Sequence, residues 1–480
     1  MRDYIMATAT AAGKVSGDRL NPQSMPLPDA DLADKNPLAP SVSAAVTSSV
    51  IEAMRGDVER VFKNPEEQKK VYKMLADADA QSKARKIIHT KSEEPFKKFI
   101  TLWKIRFKYG IHWGKRFYVM RLIRNVALGK FYNFFKIKKY ILRGIEYAGT
   151  YRCNFRCHHC LCIRLDESDV RREMVPEDYA RVTKEAMALG ATTFGLEGGE
   201  PFVNQHWAEI LEACQGKVNH LVISTNGWHF NEERAKRAAE LGVDTVNFSL
   251  DSGYREMHDL FRLRYGSFDR VMEGIRLCRK YGIKVIINTV VHRENIYTEH
   301  YRALLDLAER EKLLINTLFA KGVGNLKGRD VLLDEQGIRD YHELIRPYNY
   351  VQRHLNYNYG KQFGCPGTKE MINMTPYGDV LNCANMHIYL GNVMEYPLKT
   401  IRDNALKKTP FGAYHSCFLA DDRDFMNVYY SLLDRKPHFS IKEFNEDLYQ
   451  YEQENEKVVY PELRAAVGDL KSETFEIKSA

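Results

Sequence analysis

Three cysteines, Cys153, Cys157 and Cys160, fall within ten residues, in "YRCNFRCHHC", with the spacing C-x3-C-x2-C. The chain has nine cysteines, an odd number and mostly clustered, which argues for metal or redox chemistry rather than a disulfide framework. A structural zinc ion wants four ligands, and His158 or His159 could supply the fourth. A four-iron cluster held by three thiolates instead leaves one iron open to a small ligand, so the vacant position becomes the reactive one. Cys214, in "ILEACQG", and Cys278, in "IRLCRK", stand alone in helix-like segments and read as small core residues.

The elements that must position these thiols alternate regularly from residue 145 to 320. Strand-like runs are "IEYAGTY", "TTFGLE", "HLVIST", "DTVNFSL", "KVIINTVV" and "LLINTLF". Between them lie "PEDYARVTKEAMALG", "HWAEILEACQG", "NEERAKRAAELG", "SFDRVMEGIRLCRKYG" and "YRALLDLAEREK", which carry helical periodicity. Six strands joined by five helices imply parallel pairing with right-handed crossovers, in an open doubly wound sheet or an incomplete barrel. Either way the chemistry gathers at the C-terminal ends of the strands. The three cysteines follow the first strand, at that edge.

C-x3-C-x2-C after the first strand of such an array resembles the radical S-adenosylmethionine (SAM) superfamily, whose fold is a partial (βα)6 TIM-like barrel. The resemblance covers about 145–320, and further elements follow in the family's order. "GLEGGEPF" is similar to its Gly-Gly-Glu element: Gly198 and Gly199 would let the backbone approach the methionyl group and Glu200 would pair with its ammonium. "STNG" offers Ser224, Thr225 and Asn226, and "NFSLDS" offers Ser249 and Asp251. "HDLFRLRYGSF" resembles the His-Asp-x-x-Arg element, with Arg262 meeting the SAM carboxylate, and Asn288 would contact the ribose. The family usually has an aromatic residue before the third cysteine; here His159 stands there and would stack near adenine. The resemblance implies a three-cysteine [4Fe-4S] cluster that chelates SAM, a reducing partner of flavodoxin or ferredoxin type, and hydrogen abstraction by a 5′-deoxyadenosyl radical in a site shielded from water.

"CPGTKEMINMTPYGDVLNC" reads as two short strands turning at Pro376 to Gly378, bracketed by cysteines. Cys365, Gly378 and Cys383, spaced C-x12-G-x4-C and followed by "GNVME", resemble the SPASM/twitch extension that binds an auxiliary four-iron cluster. The shorter twitch form matches better, with Cys417 of "YHSCFLADD" as third ligand; Asp421, His415, His387 or Cys162 could complete the set, or one iron stays open. A zinc knuckle is the alternative for this site, and hydrogen-atom donation is another role for Cys417.

The formal charge of +8 is carried by one segment. Lys97 to Arg143 holds fourteen Lys and Arg and no Asp or Glu, interleaved with Trp103, Phe107, Trp113, Phe117, Phe131, Phe134 and Phe135; the remainder is net acidic. Three uses fit: helices packed on the barrel with a solvated basic face, an anionic membrane surface, or nucleic acid, for which no RNA-binding module is evident. Its spacing is helical, with Gly110, Gly114 and Gly129 as expected breaks. A membrane contact would make a lipid or membrane-associated metabolite a natural substrate, whereas the twitch resemblance points to a peptide or small polar metabolite.

Residues 1–50 read as disordered, and 51–144 as a helical basic-aromatic extension whose helix at "NPEEQKK" is capped by Asn64. The barrel is expected over 145–330, the twitch-like unit over 331–440 and a charged tail over 441–480. No apolar run approaches the roughly 18 residues of a membrane span, and the N-terminus lacks a secretory pattern; the expectation is a cytoplasmic protein, peripheral on the inner membrane face if the basic segment binds lipid. A zinc-dependent nucleic-acid-binding protein and an iron–sulfur electron carrier are the competing classes.

Overall fold

Runs of β-branched residues become strands here because every second side chain finds an apolar layer to enter. The computed structural model describes residues 49–87, 100–162 apart from 102–103, 106–108, 110–111 and 113, 171–353, and 365–454 apart from 410, 412–416 and 436–438. Before the barrel come α1 (Val50–Arg55), α2 (Val58–Val61), α3 (Pro65–Ala84) and α4 (Arg116–Phe134). The barrel then alternates β1 (Gly144–Thr150), α5 (Pro176–Ala188), β2 (Thr193–Gly198), α6 (Trp207–Ala213), β3 (His220–Thr225), α7 (Glu232–Glu240) and β4 (Val243–Ser249). It continues through α8 (Arg255–Arg262), α9 (Ser267–Lys280), β5 (Lys284–Val291), α10 (Glu299–Glu311) and β6 (Leu314–Phe319).

The six expected strands pair in parallel in chain order, as a partial barrel requires. In β5, Val285, Ile287, Thr289 and Val291 are buried while Lys284, Ile286, Asn288 and Val290 are half-buried. One face therefore packs under the helices, where Phe194, Ile223, Val246, Phe248, Ile287 and Tyr301 share one core; each such side chain contributes about 1.5–3 kcal/mol. The other face lines the barrel interior. Helix starts carry local caps: the Asn64 side chain accepts from the Glu66 amide at 2.8 Å, Asn231 from Arg234 and Thr298 from Tyr301.

Past residue 330 the sheet continues beyond the sequence expectation. A further unit, α11 (Glu335–Ile345) and β7 (Val351–Arg353), adds in parallel to β6. The expected hairpin forms as β8 (Met371–Met374) and β9 (Asp379–Cys383), with Gly378 in its turn. It does not stand apart: β8 pairs in parallel with β1, setting Asn373 opposite Glu146. Next come β10 (Met386–Asn392), α12 (Leu398–Lys408), α13 (Arg423–Arg435), β11 (Phe439–Ser440) and α14 (Ile441–Glu454). Among the described residues one sheet of eleven strands results, in the order β11-β10-β9-β8-β1-β2-β3-β4-β5-β6-β7.

The N-terminal helices cover α8: Val50, Ile51, Met54 and Leu75 pack with Met257, Leu260 and Phe261. One expectation about the basic segment is corrected. Gly129 lies inside α4 and does not break it, whereas Gly114 does fall in the turn before it; Gly110 lies outside the described residues. The disorder expected for 1–50 falls almost wholly outside them, although Val50 already begins α1; the tail beyond 454 falls outside them as well.

Candidate active site

The cysteine loop leaves β1 and is clamped from three sides. Cys153 Sγ accepts from the Phe155 amide at 3.4 Å and faces Asn226 Nδ2 at 4.0 Å. Cys157 is buried, with Arg262 Nη1 3.8 Å from its sulfur. Asn325, in the loop after β6, binds the Cys157 carbonyl through Nδ2 at 2.8 Å and the Cys160 carbonyl through its amide at 2.9 Å. Its neighbour Gly324 has φ +58, and a Cβ there would sit 2.0 Å from the Cys160 carbonyl oxygen. His159 lies flat against Phe261, ring centroids 4.7 Å apart and planes 4° apart. Burial and the Arg262 charge hold its imidazole well below the usual range, so it is neutral, and its buried Nδ1 has no hydrogen-bond partner among the described residues.

Burial, then Cys157, Glu200 and Cys160, push the Cys153 thiol well above its ordinary pKa. Thiols gathered this way become thiolates only against a strong positive centre such as a metal. Among the described residues, no three cysteine sulfurs lie within 4.8 Å of one another; only His112, His220 and Asp244 are gathered so closely. A tetrahedral zinc, with Zn–S about 2.3 Å, needs sulfurs under about 4 Å apart. At least one pair of the Cys153, Cys157 and Cys160 sulfurs is therefore farther apart than that, and His158 turns its Nε2 to Asp57 at 3.5 Å rather than toward the thiols. The His112 group is already served by cations: Lys115 binds Asp244, and Lys284 Nζ lies 3.2 Å from His112 Nδ1.

The other strand ends converge on the loop. Gly198 and Gly199 have a role the sequence reading did not assign: a Cβ at Gly198 would strike the Thr150 carbonyl at 2.3 Å, and one at Gly199 the Arg152 carbonyl at 2.3 Å. They let β2 exit beside the cysteine loop. Glu200 is fully buried, accepting from Thr225 Oγ1 and the Asn226 amide, each at 2.8 Å, and from the Phe202 amide at 3.2 Å. Burial pushes its carboxyl up to about 7 against these hydrogen bonds. Asn226 in turn bonds Asn154 at 2.9 Å, tying β3 to the loop. Arg262 and Asp251 form a buried pair at 2.6 Å, and the Val290 amide donates to the other Asp251 oxygen. Asp251 thus orients Arg262. Ser224 accepts from Asn247 at 3.2 Å, and Ser249 sits opposite Asn288. The Oδ1 atoms of Asn247 and Asn288 are buried without a partner among the described residues.

Sequence reasoning missed Asn325, whose only signal is the turn "GVGNLKG" after the sixth strand, and an acidic pair inside the barrel. Glu146 and Glu197 share the Asn373 amide, at 2.8 and 3.1 Å. Burial and then the Glu146 charge raise the Glu197 carboxyl well above its ordinary value.

The second cysteine set also comes together. Burial, then Cys365 and Cys417, push the Cys383 thiol up to about 12; burial, then Cys417, push Cys365 up to about 11, against hydrogen bonds from Gly367 and Asn382. Of the fourth-ligand candidates, Asp421 is engaged by Arg353 and the Cys417 amide, both at 3.0 Å. Cys162 turns to the Gly198 carbonyl at 3.7 Å beside Tyr151 and Tyr377, His387 is buried in β10, and His415 lies outside the described residues. Leu161 and Val323, from around the first site, pack into the core that holds Phe418, beside Cys417.

The helix α4 docks beneath the barrel, at the N-terminal ends of its strands. Arg121 bonds Asn219 Oδ1 at 2.7 Å, and Asn125 bonds the Gly190 carbonyl at 2.7 Å. On its outer side Phe117, Met120, Ile123, Phe131 and Phe134 are all at least half exposed, Phe134 at 79%. No helix of the described residues is long and apolar enough to cross a membrane.

Residues 147–308 match the Radical SAM superfamily. Fe-coproporphyrin III synthase of Methanosarcina barkeri is 30% identical over 190 residues, 39% of this chain and 47% of that protein. Pre-heme d1 synthase of Dinoroseobacter shibae is 28% identical over 179 residues, 37% of this chain and 43% of that protein. The matched stretch thus spans less than half the length of either relative. A crystal structure of Streptococcus suis SuiB bound to S-adenosylmethionine aligns at TM-score 0.49 and 16% identity, over 65% of this chain and 80% of that one.

Proposed function

We propose, from the premise that residues 147–308 form a domain of the radical SAM superfamily, that this chain is a radical SAM enzyme that cleaves S-adenosylmethionine reductively. That membership implies a [4Fe-4S] cluster and SAM, and Cys153, Cys157 and Cys160 would hold the cluster. The observation that carries this is the three-thiol loop, with Cys157 buried and Cys153 and Cys160 half-buried, ringed by Glu200, Asn226 and Arg262 and by the Oδ1 atoms of Asn247 and Asn288, unpartnered among the described residues. When bound, the cluster and SAM supply a 5′-deoxyadenosyl radical that takes hydrogen from an unactivated carbon of a substrate. The chain's own residues bind and orient. Glu200 would take the SAM ammonium, whose positive charge favours loss of the Glu200 proton. Asn288 and Ser249 would meet the ribose, and Asn226, Ser224 and Asp251 with Arg262 would fix the surrounding frame. His159, braced by Phe261, would lie near adenine. Cys365, Cys383 and Cys417 would hold an auxiliary cluster.

Anaerobic reconstitution followed by dithionite tests this reading. Formation of 5′-deoxyadenosine is expected; zinc in place of iron, or iron with no 5′-deoxyadenosine, overturns it.

For the substrate, the interior Glu146–Glu197 pair favours a polar molecule with N–H donors, a peptide or small metabolite, over a lipid. A second reading follows from the relatives, whose names point to haem-type macrocycles. Mass spectrometry of reduced enzyme with peptide and tetrapyrrole pools separates the two.

The outer stripe of α4, apolar and rimmed by cations, would rest on an anionic bilayer. Because it lies at the strand ends opposite the thiols, it would anchor the enzyme rather than admit a lipid. Flotation with anionic vesicles, lost in Phe131→Ser/Phe134→Ser, is the expected result; equal failure on anionic and neutral vesicles removes the anchor.

A further inference from the structure

We infer that the surface around Trp228 is the docking site for an acidic one-electron donor protein, a reduced flavodoxin or ferredoxin. The inference rests on the cluster reading above and adds the place where the electron enters. Phe155 lies between Cys153 and Cys157, its amide on the Cys153 sulfur at 3.4 Å. Its buried ring meets Trp228 edge-on, centroids 5.8 Å apart. Trp228, half-buried, is held to Asn226 through its amide at 2.9 Å. A contact path therefore runs from the surface through the Trp228 and Phe155 rings and the Phe155 amide to the first thiol.

That outlet is ringed by guanidinium groups. Arg264 lies over the Trp228 ring at 4.2 Å and Arg270 at 5.2 Å. Arg156, exposed, donates to the Cys153 and Phe155 carbonyls at 3.0 and 3.2 Å. None of the three is in an ion pair among the described residues, while the neighbouring Asp269 is taken by Arg255. Three cations without carboxylate partners, around an aromatic ring in contact with the thiol loop, present a positive field to an acidic partner. Such a field speeds encounter and weakens with salt. The partner loses one electron and the cluster gains it; no bond forms or breaks. The membrane-facing stripe of α4 is at the opposite strand ends, so both surfaces can be occupied together.

The test uses reconstituted holoenzyme and a reduced acidic flavodoxin. Arg264→Glu/Arg270→Glu is expected to raise the Kd for flavodoxin at least tenfold, measured by biolayer interferometry, and to cut flavodoxin-driven 5′-deoxyadenosine formation in proportion. Dithionite-driven formation should stay within twofold of the unaltered enzyme. The unaltered enzyme should lose flavodoxin affinity steeply as NaCl rises. Should the double reversal fold poorly, Arg270→Gln alone is expected to give a smaller loss in the same direction. An unchanged Kd, salt-independent binding, or equal loss with both reductants overturns the proposal. Absence of 5′-deoxyadenosine with either reductant in the unaltered enzyme instead overturns the cluster reading, and the binding measurements then decide the docking question separately.

Discussion

The two cysteine sets are built differently. Cys153, Cys157 and Cys160 share one short loop, held by Asn325 and Asn226 from the loops after β6 and β3 and by Arg262 from the end of α8. Cys365, Cys383 and Cys417 come from three separate segments, brought together by β9, β10 and an aromatic core of Phe411, Phe418, Phe425 and Tyr429. The first set is preorganised by hydrogen bonds around a short loop, the second by tertiary packing.

The largest expected break in that comparison is Cys157→Ala. Dithionite-driven 5′-deoxyadenosine should fall by about a thousandfold or more, some 4 kcal/mol of barrier. Cys383→Ala should instead lower iron from about eight to about four atoms per chain, the content of one four-iron cluster, and leave SAM cleavage within about tenfold. Loss of all iron in Cys383→Ala would show that the sets do not load independently.

Next in size is a pH effect on the metal-free protein. The Glu200 carboxyl is held at about 7 when folded, against about 4.5 in the unfolded chain. Between those values the folded state binds more protons, so its stability is full at low pH and declines as pH rises through the window, by about 3 kcal/mol in all. Urea unfolding from pH 4.5 to 7.5 measures the slope, and Glu200→Gln should remove that part of it. An unchanged slope in the variant would assign the dependence elsewhere.

The smallest is Asn325→Ala, which leaves the Cys157 carbonyl without its donor and costs about 1–3 kcal/mol. The urea midpoint reads it; a midpoint equal to that of the parent would mean the loop is held without this clamp.

What the sequence made legible follows the same division. The β3 and β5 segments were evident from "HLVIST" and "KVIINTVV" alone, because a strand that alternates between a helix layer and a lumen writes that alternation into its residues. The first cysteine set was legible for a similar reason: its spacing is local. Arg262 was found, but its tie to Asp251 and its approach to Cys157 span 11 and 105 residues. Asn325 contacts a residue 168 positions away, and Asn373 joins two acids that precede it by 227 and 176 residues. No periodicity records such contacts. The pairing of β8 with β1 was hidden likewise, since a four-residue strand carries no mark of which edge it will join.

That pairing has a consequence for taking the protein apart. A fragment ending before residue 371 would lack β8 and leave the backbone of β1 unsatisfied along the edge β8 covers, directly below the thiol loop. Such a piece would seek another strand, most readily one from a second copy of itself. The strands that carry the thiol loop are therefore not a module to be excised; they keep their shape because the C-terminal half supplies their missing neighbour.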